Sequence, residues 1–259
     1  MTSLPPLDAH AHIAVDIAGS DMDALNAFVF AMTRSLEEAS AGLRRSDQNA
    51  IWGIGCHPGL VTSLKHFDSG RFEQLLRETA LVGELGLDAS TRVDMELQKE
   101  VLSAALAVLS RHPRIVSLHS YGATDLLLEV LAAKPLRGVI LHWWLGDEAA
   151  TREAVKSGFY FSFNASSVRK KELLDQIPIT RMLAETDHPY GDRWSAMPRM
   201  PGRVDQVEAG LGRHFGLDAM AVRRRLWRNF ATLVSEIGCK PLLPQKVRSV
   251  LDSLDENTA

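Results

Sequence analysis

Short apolar runs of strand length alternate along this chain with longer segments in which apolar residues recur every three or four positions. The short runs are typical of buried strands, and the longer spacing is typical of helices that bury one face. The alternation predicts βαβ units in a parallel sheet, and eight strands with helical crossovers favour closure into a barrel. Strands are predicted near residues 4–9, 26–32, 50–55, 79–85, 114–118, 137–142, 158–164 and 180–186.

The segments between the strands predict the helices. Ser35 and Glu38 have the spacing of a capping box, so a helix is expected to begin at Ser35. Helical spacing also covers 72–76, 94–109, 125–133, 204–215 and 218–237. The connection 13–25 is short and rich in Ala, Gly and Asp, so the first helix is expected to have only a turn or two.

Glycines, prolines and polar residues predict the turns and the domain limits. Gly138 and Gly158 precede strands, where an incoming turn often needs a positive φ. The proline- and glycine-rich residues 188–203 predict a long active-site loop, and the polar residues 252–259 predict a frayed tail. We therefore expect an α/β protein with one domain, a (β/α)8 TIM barrel over residues 1–251.

Composition narrows the class of protein. The 259 residues are 46% hydrophobic and 24% charged, as in an ordinary globular domain. The net charge of −3 gives no global basic field that would indicate nucleic acid, and it does not exclude nucleic acid. Two cysteines, the absence of a signal-peptide pattern and the lack of an apolar stretch near 20 residues predict a cytoplasmic protein without a membrane span.

Metal-ligand side chains stand where several predicted strands end. His10 and His12 are two residues apart, so in a strand both rings point to the same face and can bind one cation. Glu84 ends the fourth strand between glycines, and a buried acid there is costly unless it meets a cation. A partly exposed histidine pair and a satisfied structural carboxylate are the alternative interpretations.

Three further strand ends complete the candidate set. His119 and His142 each end a strand as candidates for a second cation, although for either ring alone a hydrogen-bonded core histidine is the simpler interpretation. Asp187 closes the eighth strand and is the better candidate than Glu185 to hold the attacking water, because it is nearer the mouth. Together the set is sufficient for two cations bridged by Glu84, with Glu84 and Asp187 as catalytic residues: His10, His12, Glu84, His119, His142 and Asp187.

Other side chains are candidates for substrate binding. His57 follows the third strand and is either a phosphate donor or a turn residue. Three arginines in the long loop are expected to meet substrate phosphates, with solvated loop charge as the alternative: Arg193, Arg199 and Arg203. Trp143 and Trp144 either stack on a base or pack at the barrel rim.

These motifs, in this order, resemble the TatD family of metal-dependent deoxyribonucleases, within the amidohydrolase-like superfamily. The resemblance covers nearly the whole chain. It rests on the segments 8–12 (DAHAH), 55–58 (GCHP), 83–88 (GELGLD), 119–120 (HS), 142–146 and 185–190 (ETDHPY). The resemblance implies that the six residues above are the ligands and that two divalent ions, Mg, Mn or Zn, support hydrolysis of DNA, either single-stranded DNA or DNA ends.

Two departures from the family pattern concern the substrate. Tyr121 stands where the family commonly has arginine, and Trp143-Trp144-Leu145-Gly146 replaces the usual Cys-Phe-Ser-Gly. Both leave the metal-ligand set intact. TatD-like proteins also occur in bacterial anti-phage gene clusters, so the resemblance extends to a role in defence beside a QueC-like partner protein.

Three functions therefore compete at this point. The first is a TatD-like deoxyribonuclease. The second is an amidohydrolase-type enzyme that acts on a small amide, lactone or phosphoester, and Glu84 in place of a carbamylated lysine disfavours it. The third is a non-catalytic barrel subunit of a complex, which has no physical need for six converging polar groups.

Overall fold

The computed structural model describes residues 4–256, and its eight short strands are parallel and follow one another in chain order. Strands β1, β2 and β3 form one sheet, and β4 to β8 form a second. The strands are β1 (Leu7–His12), β2 (Phe28–Met32), β3 (Ala50–Trp52), β4 (Leu81–Gly86), β5 (Ile115–His119), β6 (Val139–His142), β7 (Tyr160–Phe163) and β8 (Met182–Ala184). All eight overlap the predicted runs.

Backbone hydrogen bonds close the two sheets into one barrel. Between β3 and β4, the amide of Gly83 donates to the carbonyl of Ile54 at 3.0 Å. Between β8 and β1, the amide of Asp187 donates to the carbonyl of His10 at 2.8 Å, and the amide of His12 donates to the carbonyl of His188 at 2.9 Å. The predicted (β/α)8 barrel is confirmed.

Helices connect the strands and cover the barrel. They are α1 (Gly19–Ala24), α2 (Leu36–Gly42), α3 (Val61–Lys65), α4 (Ser69–Leu75), α5 (Met95–Leu109), α6 (Thr124–Ala133), α7 (Glu148–Lys156), α8 (Lys171–Gln176), α9 (Asp205–Phe215), α10 (Ala219–Ile237) and α11 (Gln245–Glu256). The six-residue α1 matches the expected short first helix. Ser35 caps α2 by accepting from the amide of Glu38, whereas the Glu38 carboxylate accepts from the amide of Arg34.

Two local expectations can be compared with the backbone. Gly138 and Gly158 have φ values of +81° and +78°, as expected for turns that enter strands. The first strand begins at Leu7 and not near residue 4, because Pro5 and Pro6 have no amide hydrogen for the ladder. This shift carries His12 into the strand, so β1 itself presents both histidines.

The apolar core lies between the strands and the helices. Trp227 and Phe230 of α10 are fully buried, and the indole of Trp227 packs edge-to-face on Phe28 with centroids 5.4 Å apart. The last helix, α11, adds the buried Val247, Leu251 and Leu254 to the same apolar cluster. It reaches Glu256 and so includes residues 252–256 of the expected polar tail, and residues 257–259 lie outside the described part. Within residues 4–256, no helix is long and apolar enough to cross a bilayer.

One buried carboxylate ties the first strand to the end of the chain. Asp8 is fully buried, and its Oδ1 accepts from the amide of Thr186 at 2.8 Å. Its Oδ2 accepts from the Thr186 hydroxyl at 2.6 Å and from the amide of Gly202 at 2.8 Å. Desolvation raises the pKa of Asp8 to about 6, against the lowering effect of these donors. Asp8 therefore fixes the mouth of β1 against β8 and the loop that follows.

Candidate active site

Six polar side chains from five strand ends meet at one mouth of the barrel. The mouth opens into a cavity of about 570 Å³. Parallel barrels place their sites at this end, because the strands all point their carboxyl ends to it. The structure brings together all six predicted residues, His10, His12, Glu84, His119, His142 and Asp187.

Glu84 lies at the centre of this group, and its two oxygens face different histidines. Oε1 lies 2.7 Å from Nδ1 of His119 and 2.9 Å from Nε2 of His142. Oε2 lies 3.2 Å from Nε2 of His12 and 3.8 Å from Nε2 of His10. One carboxylate thus divides the imidazoles into two pairs.

Asp187 completes the pair on the β1 side. Its Oδ1 lies 3.8 Å from Nε2 of both His10 and His12. Asp187 follows β8 in a left-handed conformation, with φ of +45°, which is rare for a residue other than glycine. The hydrogen bond from its amide to His10 holds this conformation and turns the carboxylate into the cavity.

The ring nitrogens that point away from Glu84 also have neighbours. Nδ1 of His10 lies 2.8 Å from the hydroxyl of Ser117. Nδ1 of His142 lies 3.7 Å from Oε1 of Glu185, a fully buried carboxylate. Glu185 accepts from the amide of Trp143 at 3.1 Å and from the hydroxyl of Ser162. The hydroxyl of Ser117 therefore fixes the orientation of the His10 ring.

Burial and close charges shift the pKa values of the central groups strongly. Burial alone would raise the pKa of Glu84, but the histidines around it hold that pKa well below its ordinary value. Burial raises the pKa of Asp187 well above its ordinary value, and nearby carboxylates add to this. For His142, burial alone would lower the pKa, but the Glu84 and Glu185 carboxylates together raise it well above its ordinary value. A bound divalent cation would favour the deprotonated carboxylate of Asp187 and the neutral imidazole of His142.

The side chains present fit divalent metal ions. Nε2 of His10 and Oε2 of Glu84 are buried and have no hydrogen-bond partner among the described residues. Neutral imidazoles and carboxylates are the ligands that zinc, manganese and iron accept. Three sets of ligand atoms lie within 4.8 Å of one another: His10 with His12 and Asp187, His57 with Glu84 and His119, and His10 with His142 and Glu185.

His57 approaches the same centre from the loop after β3. Its Nδ1 accepts from the amide of Gly59 at 2.9 Å, so the neutral ring carries its proton on Nε2. That Nε2 lies 3.4 Å from Oε2 of Glu84. His57 therefore presents a hydrogen-bond donor to the cavity.

Of the three predicted loop arginines, the structure places only Arg193 at the cavity. Arg193 lines the cavity, and its Nε donates to the carbonyl of Tyr190 at 2.8 Å. Arg199 and Arg203 are exposed and do not line it, so the structure does not support the role expected for them at this mouth. The reason is the loop path, because the bond from the Gly202 amide to Asp8 anchors this end of the loop beside β1.

Several cavity residues were not predicted as site residues. Arg34 follows β2 and forms a bidentate ion pair with Glu38. Tyr121 and Tyr190 are about half exposed, at 53% and 48%. Leu60, Leu145 and Trp143 add to the apolar wall of the cavity. Trp144 is buried and packs in the rim, one of the two roles expected for it. Arg34 and Leu60 had no signal in the sequence. Tyr121, Trp143 and Leu145 stood at the two departures from the family pattern, and Tyr190 lies in the segment 185–190 of the resemblance.

A family model agrees with this geometry. The model described as TatD related DNase matches residues 7–235, most of the chain and all eight strands. The chain belongs to this TatD-related family. Its barrel and its candidate metal-binding histidine and carboxylate groups are those of a metal-dependent hydrolase fold.

Individual TatD relatives agree with the family match. TATDN3 of Mus musculus is 27% identical over 272 aligned positions, covering 94% of this chain and 92% of the relative. The 3'-5' ssDNA/RNA exonuclease TatD of Erwinia billingiae is 29% identical over 201 positions, covering 69% of this chain and 77% of the relative. The crystal structure of YJJV, a TatD homologue from Escherichia coli, superposes with a TM-score of 0.76 at 22% identity, covering 87% and 97% of the two chains, and supports the fold.

Proposed function

We propose that this protein is a metal-dependent deoxyribonuclease that hydrolyses phosphodiester bonds at the mouth of the barrel. The observation that carries the proposal is the position of Glu84, whose two oxygens each face a separate pair of histidines. A carboxylate placed between two such pairs could serve two cations, and two-ion sites support in-line hydrolysis of phosphate esters. The names of the TatD relatives support DNA or RNA as the substrate class.

The residues divide into two ligand groups. His10, His12 and Asp187, with Oε2 of Glu84, would hold one cation. His119 and His142, with Oε1 of Glu84, would hold the second. When bound, two divalent ions lower the pKa of water and stabilise charge that develops on phosphoryl oxygens. Magnesium, manganese and zinc are all compatible with this mixture of ligands.

Side chains of the protein supply the remaining steps. Asp187 orients the attacking water and accepts its proton on Oδ1, since this carboxylate is turned into the cavity beside His12. His57 donates from Nε2 to a phosphoryl oxygen, because its Nδ1 is already occupied by the Gly59 amide. The Arg193 guanidinium at the rim would bind a neighbouring phosphate.

The rim favours an unpaired nucleotide. Tyr121, Trp143 and Tyr190 surround the cavity, and bases that are not paired in a duplex stack on such aromatic rings. Among the lining residues, arginine appears only as Arg34 and Arg193, so the cavity offers no long basic track for a duplex backbone. We therefore propose single-stranded DNA or a DNA end as the substrate.

A nuclease assay tests the proposal. Single-stranded DNA, duplex DNA and small phosphodiesters are incubated with metal-free protein to which magnesium, manganese or zinc is returned. Release of nucleotides from single-stranded DNA only when metal is present, and its loss in Glu84→Ala, is the expected result. The matched control Asp94→Asn alters the exposed N-cap of α5 and should remain active. Cleavage that is equal in Glu84→Ala and wild type would refute the proposed centre.

A further inference from the structure

The two ring nitrogens of His119 face two different carboxylates. Nδ1 points inward and lies 2.7 Å from Oε1 of Glu84. Nε2 points outward and lies 3.2 Å from Oδ2 of Asp88. Asp88 is buried, with 6% of its surface exposed, and it stands two residues beyond the end of β4. His119 is thus placed between a central acid and a peripheral one.

His119 is oriented in the opposite sense to the other histidines that face Glu84. His10, His12 and His142 approach its carboxylate with Nε2. His119 approaches with Nδ1, so its lone pair is directed inward only when the ring proton is on Nε2. The neighbour of Nε2 therefore decides whether His119 can act as a ligand.

Asp88 is held so that one oxygen remains for this contact. Its Oδ1 accepts from the amide of Ser90 at 2.8 Å and from the Ser90 hydroxyl at 2.6 Å. Its backbone is fixed by Gln98, which accepts from the Asp88 amide at 2.8 Å and donates to the Asp88 carbonyl at 3.1 Å. Oδ2 is left to face His119.

Asp88 has both of its oxygens engaged. The amide and hydroxyl of Ser90 donate to Oδ1, and Oδ2 lies 3.2 Å from Nε2 of His119. Both ring nitrogens of His119 face carboxylates in the metal-free protein. A cation that takes the Nδ1 lone pair leaves the single ring proton on Nε2, where the Asp88 carboxylate can accept it. Carboxylates in this position orient the metal-binding histidines of many proteins and increase their basicity.

We propose that Asp88 is a positioning residue, which keeps the proton of His119 on Nε2 and so directs the Nδ1 lone pair into the metal centre. The inference rests on the proposed two-ion site, but it does not depend on which ester the protein cleaves. Asp88 lies in the wall of the cavity. Its proposed effect on the metal centre is exerted through its contact with His119.

Asp88→Asn is the informative variant. The amide oxygen keeps the two bonds from Ser90, which places the NH₂ group where Oδ2 lay, facing Nε2 of His119. An NH₂ group only donates, so the proton of His119 moves to Nδ1, where it blocks the lone pair. The backbone bonds to Gln98 do not involve the exchanged atom, so the fold is expected to persist.

The first measurement is metal affinity, by calorimetric titration of metal-free protein with zinc and with manganese. Loss of a carboxylate that orients a metal-binding histidine typically weakens metal binding by about 10–100-fold. We expect the metal affinity of Asp88→Asn to fall by a factor in this range. Ser90→Ala keeps the carboxylate and removes one of its two donors, so a smaller loss is expected. Asp94→Asn makes the same chemical change at an exposed cap of the following helix and should bind metal as wild type does.

The second measurement is the tautomer itself, from nitrogen-15 NMR of the zinc-loaded protein. Wild type should show a proton on Nε2 of His119, and Asp88→Asn should lose it. Thermal unfolding of the metal-free variants, unchanged from wild type, excludes general damage to the fold as the cause.

The outcomes separate this inference from the proposed function. Equal metal affinity and an unchanged tautomer in Asp88→Asn would overturn the inference and leave the metal centre in place. Wild-type protein that binds no divalent metal would overturn both. Metal binding that depends on Asp88 in a protein that cleaves no DNA would support the inference and refute the nuclease.

Discussion

The imidazole rings of His10 and His142 lie almost parallel, with planes 15° apart and centroids 3.9 Å apart. They belong to β1 and β6, which are separated around the barrel by β7 and β8. Only a closed barrel brings these two strand ends into contact. The stacked pair therefore shows that the candidate centre depends on closure between β8 and β1.

Asp187→Asn tests the general base. Asparagine keeps the shape of the side chain but cannot accept the proton of the attacking water, so kcat should fall by about 10²–10⁴-fold. Single-turnover cleavage of a short single-stranded DNA measures the effect. A kcat within threefold of wild type, at saturating metal, would be inconsistent with the role proposed for Asp187.

Removal of metal should lower thermal stability. A ligand at 100 times its dissociation constant stabilises the native state by about 2.7 kcal/mol, which for a chain of this size corresponds to roughly 5–10 °C in Tm. We expect a fall of this order when a chelator is added, and recovery when manganese or zinc is returned. Glu84→Ala should show no such dependence, and a metal-dependent Tm in that variant would contradict the bridging role.

Tyr121→Ala tests the aromatic rim. Stacking of a base on an aromatic ring contributes about 1–3 kcal/mol, so KM for single-stranded DNA should rise by about fivefold or more. An oligonucleotide without a base at the terminal position should be cleaved equally by both proteins. Met220→Ala removes an apolar side chain that is 62% exposed on α10, away from the cavity, and serves as the control. An equal rise in KM for both substrates would exclude stacking.

Leu251→Ala tests whether α11 is part of the folded domain. Leu251 is 3% exposed within the cluster that contains Trp227, and truncation of such a side chain costs about 2–5 kcal/mol. Urea unfolding measures the free energy of unfolding. Ser249→Ala, on the exposed side of the same helix, should lie within about 0.5 kcal/mol of wild type. A Leu251→Ala variant as stable as this control would show that α11 contributes little.

Asp47→Asn should destabilise the protein in a pH-dependent way. Burial alone would raise the pKa of Asp47, but hydrogen bonds from Arg45 at 2.6 Å and Trp52 at 2.9 Å hold it below its ordinary value. A lowered pKa contributes stability above the unfolded value near 4, and this contribution disappears as the pH falls through the native pKa. The variant should lose about 1–3 kcal/mol at pH 7. The difference from wild type should shrink below about pH 4, and a constant difference across pH would contradict the assignment.

The fold and the central residues could be predicted from the sequence because their signals are local. Each strand is a short apolar run, and the ligand residues stand at the ends of such runs, as at His119 and His142. In a parallel barrel, a strand end has a known position, so the convergence of these residues follows from the fold.

The paths of the loops around the cavity could not be predicted, because long-range contacts set them. Arg199 and Arg203 belong to a segment that is anchored by a bond from Gly202 to Asp8, 194 residues away in the chain. Arg34 lies at the cavity because Glu38 holds it there, and an arginine after a strand has no signal of its own. The contact between Nε2 of His119 and Asp88 likewise joins the ends of two different strands and has no local signal.

The carboxylate of Asp8 has a consequence for synthesis on the ribosome. Its partners, Thr186 and Gly202, emerge only after most of the polypeptide has been made. Asp187, beside Thr186, emerges equally late. A nascent chain therefore carries His10 and His12 long before Asp187, and the proposed ion centre cannot assemble until translation has passed the eighth strand.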